Sequence, residues 1–354
     1  MTTRRTFLAS LLASAAAPRL SWADAGGPTH LAAAREADGA YALFGLAADG
    51  ADIFRIPLPG RGHAAAAHPT APEAVAFARR PGTFALVIDC ANGTVAHRLT
   101  APEGRHFYGH GAFIEGGDIL CTTENEIETG QGRIGLWSRR AGYRRIGELA
   151  SGGIGPHEIL ALPGDRLVVA NGGILTHPDR GRDKLNLDTM RPNLAYLDDS
   201  GPVELVELPE ELHQNSIRHI ATDGEVTGFA MQWQGDLSDP VPLLGLHRRG
   251  EAPVLASAGL VDQLAMQGYA GSIAMAGGRV GITSPRGGCL HLFDKAGNFQ
   301  ESLSRSDICG LAAAPAGLLA TDGLGGILTV TDQGLTPTRK APRAWDNHLV
   351  RIGA

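Results

Sequence analysis

Asn347-His348-Leu349-Val350, near the end of the chain, is the stretch whose reading decides the fold. It repeats a pattern met earlier: a polar or small residue, a variable one, then apolar residues, with a Gly-containing turn and a second strand usually following. The pattern occurs at Glu73-Ala74-Val75-Ala76, Gly109-His110-Gly111-Ala112 and Pro156-His157-Glu158-Ile159. It returns at Arg218-His219-Ile220-Ala221, Gly271-Ser272-Ile273-Ala274 and Cys309-Gly310-Leu311-Ala312. With the terminal copy this makes seven. Between copies run short apolar segments such as Phe84–Asp89, Arg166–Ala170 and Gly317–Thr321, separated by Gly, Asp, Asn and Pro turns. Short strands repeating at roughly 40 residues are the mark of a propeller of four-stranded blades.

The place of the last copy supports this choice over a sandwich. The N-terminal region offers strands near His30–Glu36, Ala40–Leu46 and Asp52–Leu58, one short of a blade. His348–Ile352 supplies the missing strand. Such pairing joins the two ends and removes an open sheet edge. The expectation is therefore an all-β, seven-bladed β-propeller closed by its N- and C-terminal strands.

In a propeller the first strand of each blade lines the central channel. Aligning the copies predicts a ring of His348, Ala74, His110, His157, His219, Ser272 and Gly310. Four of these are histidines, from a chain with only 13. Neutral imidazoles converging on one axis suit a transition metal, so His110, His157, His219 and His348 are candidate ligands. Bonding to water and backbone carbonyls is the alternative use of an axial histidine. Glu124, in Thr122-Thr123-Glu124-Asn125-Glu126, is a candidate carboxylate ligand at the mouth. The segment between blade 4's second and third strands, Asn171 to Asn186, is long, and long loops in compact domains usually carry function. Its Lys184, with Arg286 of Ser284-Pro285-Arg286-Gly287-Gly288, is expected to hold an anionic substrate or cofactor, and Asn171 joins them as a candidate binding residue.

Thr3-Arg4-Arg5-Thr6-Phe7-Leu8 sets paired arginines before the apolar run Leu8–Ala17, and Ala23-Asp24-Ala25 offers small residues for cleavage. This predicts a twin-arginine signal peptide at 1–25, a periplasmic address and one domain over 26–354. The apolar run is shorter than the roughly 20 residues a bilayer crossing needs. With 48 Gly, 21 Pro and 43% hydrophobic residues, the chain is too apolar for disorder and too turn-rich for a helical protein. A net charge of −6 gives no motive for nucleic-acid binding. Four scattered cysteines are too few for a disulfide scaffold, and no bridge can be assigned from them. No G-x-S-x-G elbow, H-E-x-x-H, P-loop, Rossmann fingerprint or C-x-x-C-H is present, so no dedicated motif makes it an enzyme.

The runs Phe107-Tyr108-Gly109-His110-Gly111, Gly153-Ile154-Gly155-Pro156-His157-Glu158, Ala170-Asn171-Gly172-Gly173-Ile174, Thr176-His177-Pro178-Asp179, Lys184-Leu185-Asn186-Leu187, Ser216-Ile217-Arg218-His219 and Thr283-Ser284-Pro285-Arg286-Gly287-Gly288 resemble the hallmarks of a family. It is an uncharacterised family of bacterial, twin-arginine-exported propellers with a domain of unknown function. The resemblance spans nearly all of the chain after residue 25. It implies no catalytic residues. It implies a link to periplasmic iron through gene neighbours, namely imelysin-like iron-regulated proteins and dihaem-peroxidase-like oxidoreductases, which become candidate partners. Three expectations follow: a metal-binding propeller for iron or copper handling; an oxidoreductase using a metal or quinone at the channel mouth; and a metal-free interaction scaffold.

Overall fold

The computed structural model describes residues 20–79, 83–181 and 183–353. It contains seven four-stranded antiparallel sheets, as the repeat predicts. From channel to rim, blade 1 runs Arg343–Arg351, His30–Glu36, Tyr41–Leu46 and Asp52–Leu58. The inner strands of blades 2 to 7 are Gly62–Ala67, Arg105–Ile114, Pro156–Leu162, Asn215–Thr222, Ser272–Ala276 and Ile308–Ala314. The chain ends are thus stitched together, with His30 opposite Arg351 and Glu36 opposite Arg343.

Burial along each blade explains the sequence pattern. Middle strands such as Ala85–Asp89 are covered on both faces and read as continuous apolar runs. The rim strand Thr94–Leu99 is exposed at all but its last residue. Tight turns join them. Between Ala276 and Arg279, Gly277 and Gly278 hold φ of 58° and 79°, the left-handed pair that a two-residue hairpin requires.

Between blades the inner faces interdigitate as separate apolar clusters. The cluster sealing blade 7 to blade 1 packs Cys309, Leu319 and Ile327 against Ala32, Phe44, Trp345 and Leu349. Trp345 meets Phe44 edge-on at 5.5 Å, and the Arg343 guanidinium lies 3.9 Å over the Phe44 ring. At ~25 cal/mol per Å² of buried apolar surface, such seams dominate the stability of the ring. All four cysteines are free and buried, and burial pushes the thiols of Cys90, Cys121 and Cys309 up to about 12.

The expected signal peptide lies largely outside the described residues. Trp22–Ala25, just before its expected end, form a 3-10 turn. There Trp22 Nε1 donates to the His68 carbonyl at 2.9 Å, and Ala25 packs into the core between blades 1 and 2. Among the described residues no helix is long and apolar enough to cross a membrane.

One irregularity positions the site. In six of the seven inner strands the pairing with the second strand, or in blade 1 with His30–Glu36, slips at the same level. In blade 3, Phe107 pairs with Glu124 and Gly111 with Thr122, so Tyr108, Gly109 and His110 face one residue. In blade 1, Asp346, Asn347 and His348 likewise stand opposite Ala33. Only Ser272–Ala276 pairs without a break. A β-bulge breaks the alternation of side chains and re-aims a residue. Here six bulges in register turn the same level of the inner strands toward the axis.

Candidate metal centre

The ring contains five histidines. His348, His110, His157 and His219 stand at the axis as the repeat predicts, and His63 of Gly62–Ala67 joins them. Ala74 does not belong to the ring. It lies on the second strand of blade 2, Glu73–Ala78, wholly buried between blades. The apolar run Glu73-Ala74-Val75-Ala76 imitates the repeat better than the true inner strand, whose Gly-His-Ala-Ala has no large aliphatic residue. Spacing carries the correct signal: His63, His110 and His157 are 47 residues apart in succession, and both His63 and His110 follow glycine. Ser272 and Gly310 complete the circle. Gly310 has no room for a side chain, since a Cβ would come within 2.5 Å of Thr321 Oγ1.

The five rings form one cluster. Centroids of His63, His110 and His348 are mutually 4.6 to 4.8 Å apart, and those of His157 and His348 each lie within 4.9 Å of His219. His63 Nε2 meets His110 Nε2 at 3.2 Å, and His157 Nδ1 meets the Arg218 carbonyl at 3.0 Å. His63 Nδ1 and His348 Nε2 are buried without a hydrogen-bond partner. Burial holds every imidazole below its usual range, His219 and His348 at about 3. The rings are therefore neutral, with lone pairs available to a cation.

Glu158 is the carboxylate of the site. Alternation along a strand would turn it away from His157, but the bulge between Pro156 and Glu158 brings it to blade 5. Its Oε2 accepts from the Ile220 N–H at 3.0 Å and lies 3.2 Å from His219 Nδ1, while Oε1 is 3.8 Å from His110 Nδ1. Burial pushes its carboxyl up to about 7. Two donor sets result, each with ligand atoms within 4.8 Å of one another: His63, His110 and His348, and Glu158, His219 and His348. His157 stands in neither. Asp346, two residues before His348, accepts from Arg61 Nε at 2.6 Å and Arg79 Nη1 at 2.8 Å, pinning the blade 1 bulge to blade 2.

Glu124 is not part of this centre. Instead of a mouth loop it occupies the strand Ile119–Glu126, fully buried, where it accepts from Thr122 Oγ1 and Arg145 Nη2, both at 2.8 Å. Its place on the second strand of blade 3 sets it behind the inner strand, within the blade rather than in the channel. Asn171 is also elsewhere, bonded to Ser151 and Asn193 between blades 3 and 4.

Cavities open on both sides of the histidine tier. On the side where the inner strands end lies a cavity of about 470 Å³, walled by residues such as Phe113, Ile159, Ile273 and Leu311, with His110, Glu158, His219 and His348 also on its lining. On the other side a chamber of about 130 Å³ borders His63, His157 and His219. Tyr108, Arg218, Gln232 and Tyr269 line both it and an outer cavity of about 290 Å³, where Lys184 and Arg286 are found. The loops between second and third strands of blades 4, 5 and 6 form that outer wall.

Fold and site together define a β-propeller with a histidine- and carboxylate-lined axis. The chain belongs to the family described as "Protein of unknown function (DUF1513)", which it matches over residues 56–352. No curated protein matches it in sequence. Its architecture is similar to that of solved WD40-type propellers. The structure of U3-55K gives a TM-score of 0.54 at 14% identity, covering 85% of this chain and 86% of that one. The RRP9 WD40 repeats give 0.51 at 15% identity, covering 83% and 88%. At such identities the likeness is one of fold.

Proposed function

We propose that this protein binds a transition metal on the propeller axis and, exported by the twin-arginine route, serves periplasmic iron or copper handling. One observation carries the reading: buried neutral imidazoles, two with an unpartnered nitrogen, converge on a half-buried carboxylate that has no lysine or arginine ion pair among the described residues. An unsatisfied buried polar atom costs about 1–3 kcal/mol, and a bound cation would offset that cost where a ring turns an unpartnered nitrogen to it. Glu158, His219 and His348 are two imidazoles and one carboxylate, the set non-haem Fe(II) favours with positions left open. His63, His110 and His348 are a three-imidazole set suited to copper or zinc.

His348 is common to both sets, which makes it the decisive test. Elemental analysis of protein isolated from the periplasm should find stoichiometric metal, and His348→Ala should lose it, with affinity down more than ~100-fold. A metal-free wild type that also fails to take up Fe(II), Cu(II) or Zn(II) would reject the reading. The cavities on both sides favour a second reading, an oxidoreductase whose metal meets small substrates. A metal-dependent spectrum that changes on reduction, followed by turnover with an electron acceptor, would establish it.

A further inference from the structure

The outer cavity gathers cations from three blades. Lys184 comes from the long loop of blade 4, Arg218 from the bulge of blade 5's inner strand, and Arg286 from the turn of blade 6. No acidic residue lines the cavity among the described residues.

Two of the cations are held by neighbours in the wall. Arg286 stacks 4.3 Å over the Tyr269 ring, and Lys184 Nζ donates to Gln234 Oε1 at 2.5 Å. The loop bearing Lys184 is tied at its base, where the Asn186 side chain bonds both Leu175 N and the Gly173 carbonyl. Tyr108 and Thr176 add paired hydroxyls to the wall. Burial lowers the Lys184 pKa, and the charges of Arg286 and Arg218 lower it further, so the three cations repel one another across the cavity. Like charges fixed together on rigid elements, without a carboxylate among them, match an anionic ligand.

We propose that this cavity binds a small organic or inorganic polyanion carrying two or more oxyanion groups, carboxylate or phosphate, held between Lys184, Arg218 and Arg286. Guanidinium forks recognise both groups in the same way. The neighbouring chamber leads from the cavity to the histidines, so a chelating anion seated here would reach the axis. Binding of the anion itself requires no metal.

The test is calorimetric titration of metal-free protein, dialysed free of chelator, with citrate and with pyrophosphate. Saturable one-to-one binding that weakens with salt is expected, reduced ~10-fold or more by Lys184→Gln and by Arg286→Gln. His348→Ala should keep the binding, which separates this inference from the metal reading. Preference for citrate assigns carboxylates, and preference for pyrophosphate assigns phosphates. Binding of neither, equal affinity for acetate, or folded K184Q and R286Q proteins that bind like wild type would each overturn it. Circular dichroism establishes that the variants are folded.

Discussion

Two glutamates are carried into the interior, and their surroundings differ. Glu124 in blade 3 lies against the Arg145 guanidinium and the Thr122 hydroxyl, and Arg145 also holds Glu148. Glu158 in blade 4 faces imidazoles and one backbone N–H. Burial raises the pKa of the first as well, but Thr122 and Arg145 act against that rise, and its charge is spent on joining strands. The second, with its carboxyl pushed up to about 7 by burial, is left either to share a proton or to accept a cation from outside. A half-buried acid surrounded by neutral donors is the better sign of a ligand site than a buried acid beside an arginine.

The sharpest way to break this comparison is to remove each carboxylate in turn. Glu158→Gln should weaken metal binding at least ~10-fold, whereas Glu124→Gln should leave it unchanged, both read by calorimetry. Equal effects would erase the distinction.

Acidity gives the next largest effect. In metal-free protein His219 and His348, pulled to about 3, stay neutral while the unfolded chain takes up protons near 6.5. Their contribution is complete above about 6.5 and is lost as pH falls toward 3. Glu158 acts in the opposite sense, its contribution fading as pH rises from its ordinary 4.5 to about 7. The histidines outnumber it, so Tm should fall on acidification below about 6.5, and bound metal should suppress the fall. A flat Tm from 6.5 to 4 would contradict neutral buried rings.

Glu124→Gln should cost about 1–3 kcal/mol of stability in denaturant melts, since Arg145 keeps Glu148 and loses one buried partner. Among the axial histidines the smallest effect on metal is expected for His157→Ala, because His157 stands outside both donor sets and is bonded to the Arg218 carbonyl. Its affinity change should stay below ~10-fold; a complete loss would place His157 among the ligands.

Seven copies of one pattern made the propeller legible, together with the convergence of four histidines. Lys184 and Arg286 were legible as well, because loops between second and third strands share one end of the channel. His63 was masked by a more apolar neighbour strand, although the 47-residue spacing marked it. Glu158 was hidden for a different reason. Strict alternation assigns it to the face opposite His157, and only a bulge, a feature of pairing between strands, brings both inward. Glu124 reads as a ligand because its neighbours in sequence are polar, but in space they include Arg145, which lies on the outermost strand of the same blade.

His348 reaches the axis on Arg343–Arg351, a strand that hydrogen-bonds to His30–Glu36 from the other end of the chain. While the polypeptide is still emerging from a ribosome, six inner strands could already be present and yet neither donor set would be whole. On the proposed metal reading, capture would then await the strand Arg343–Arg351, and a protease that removed that strand would undo both donor sets at one cut.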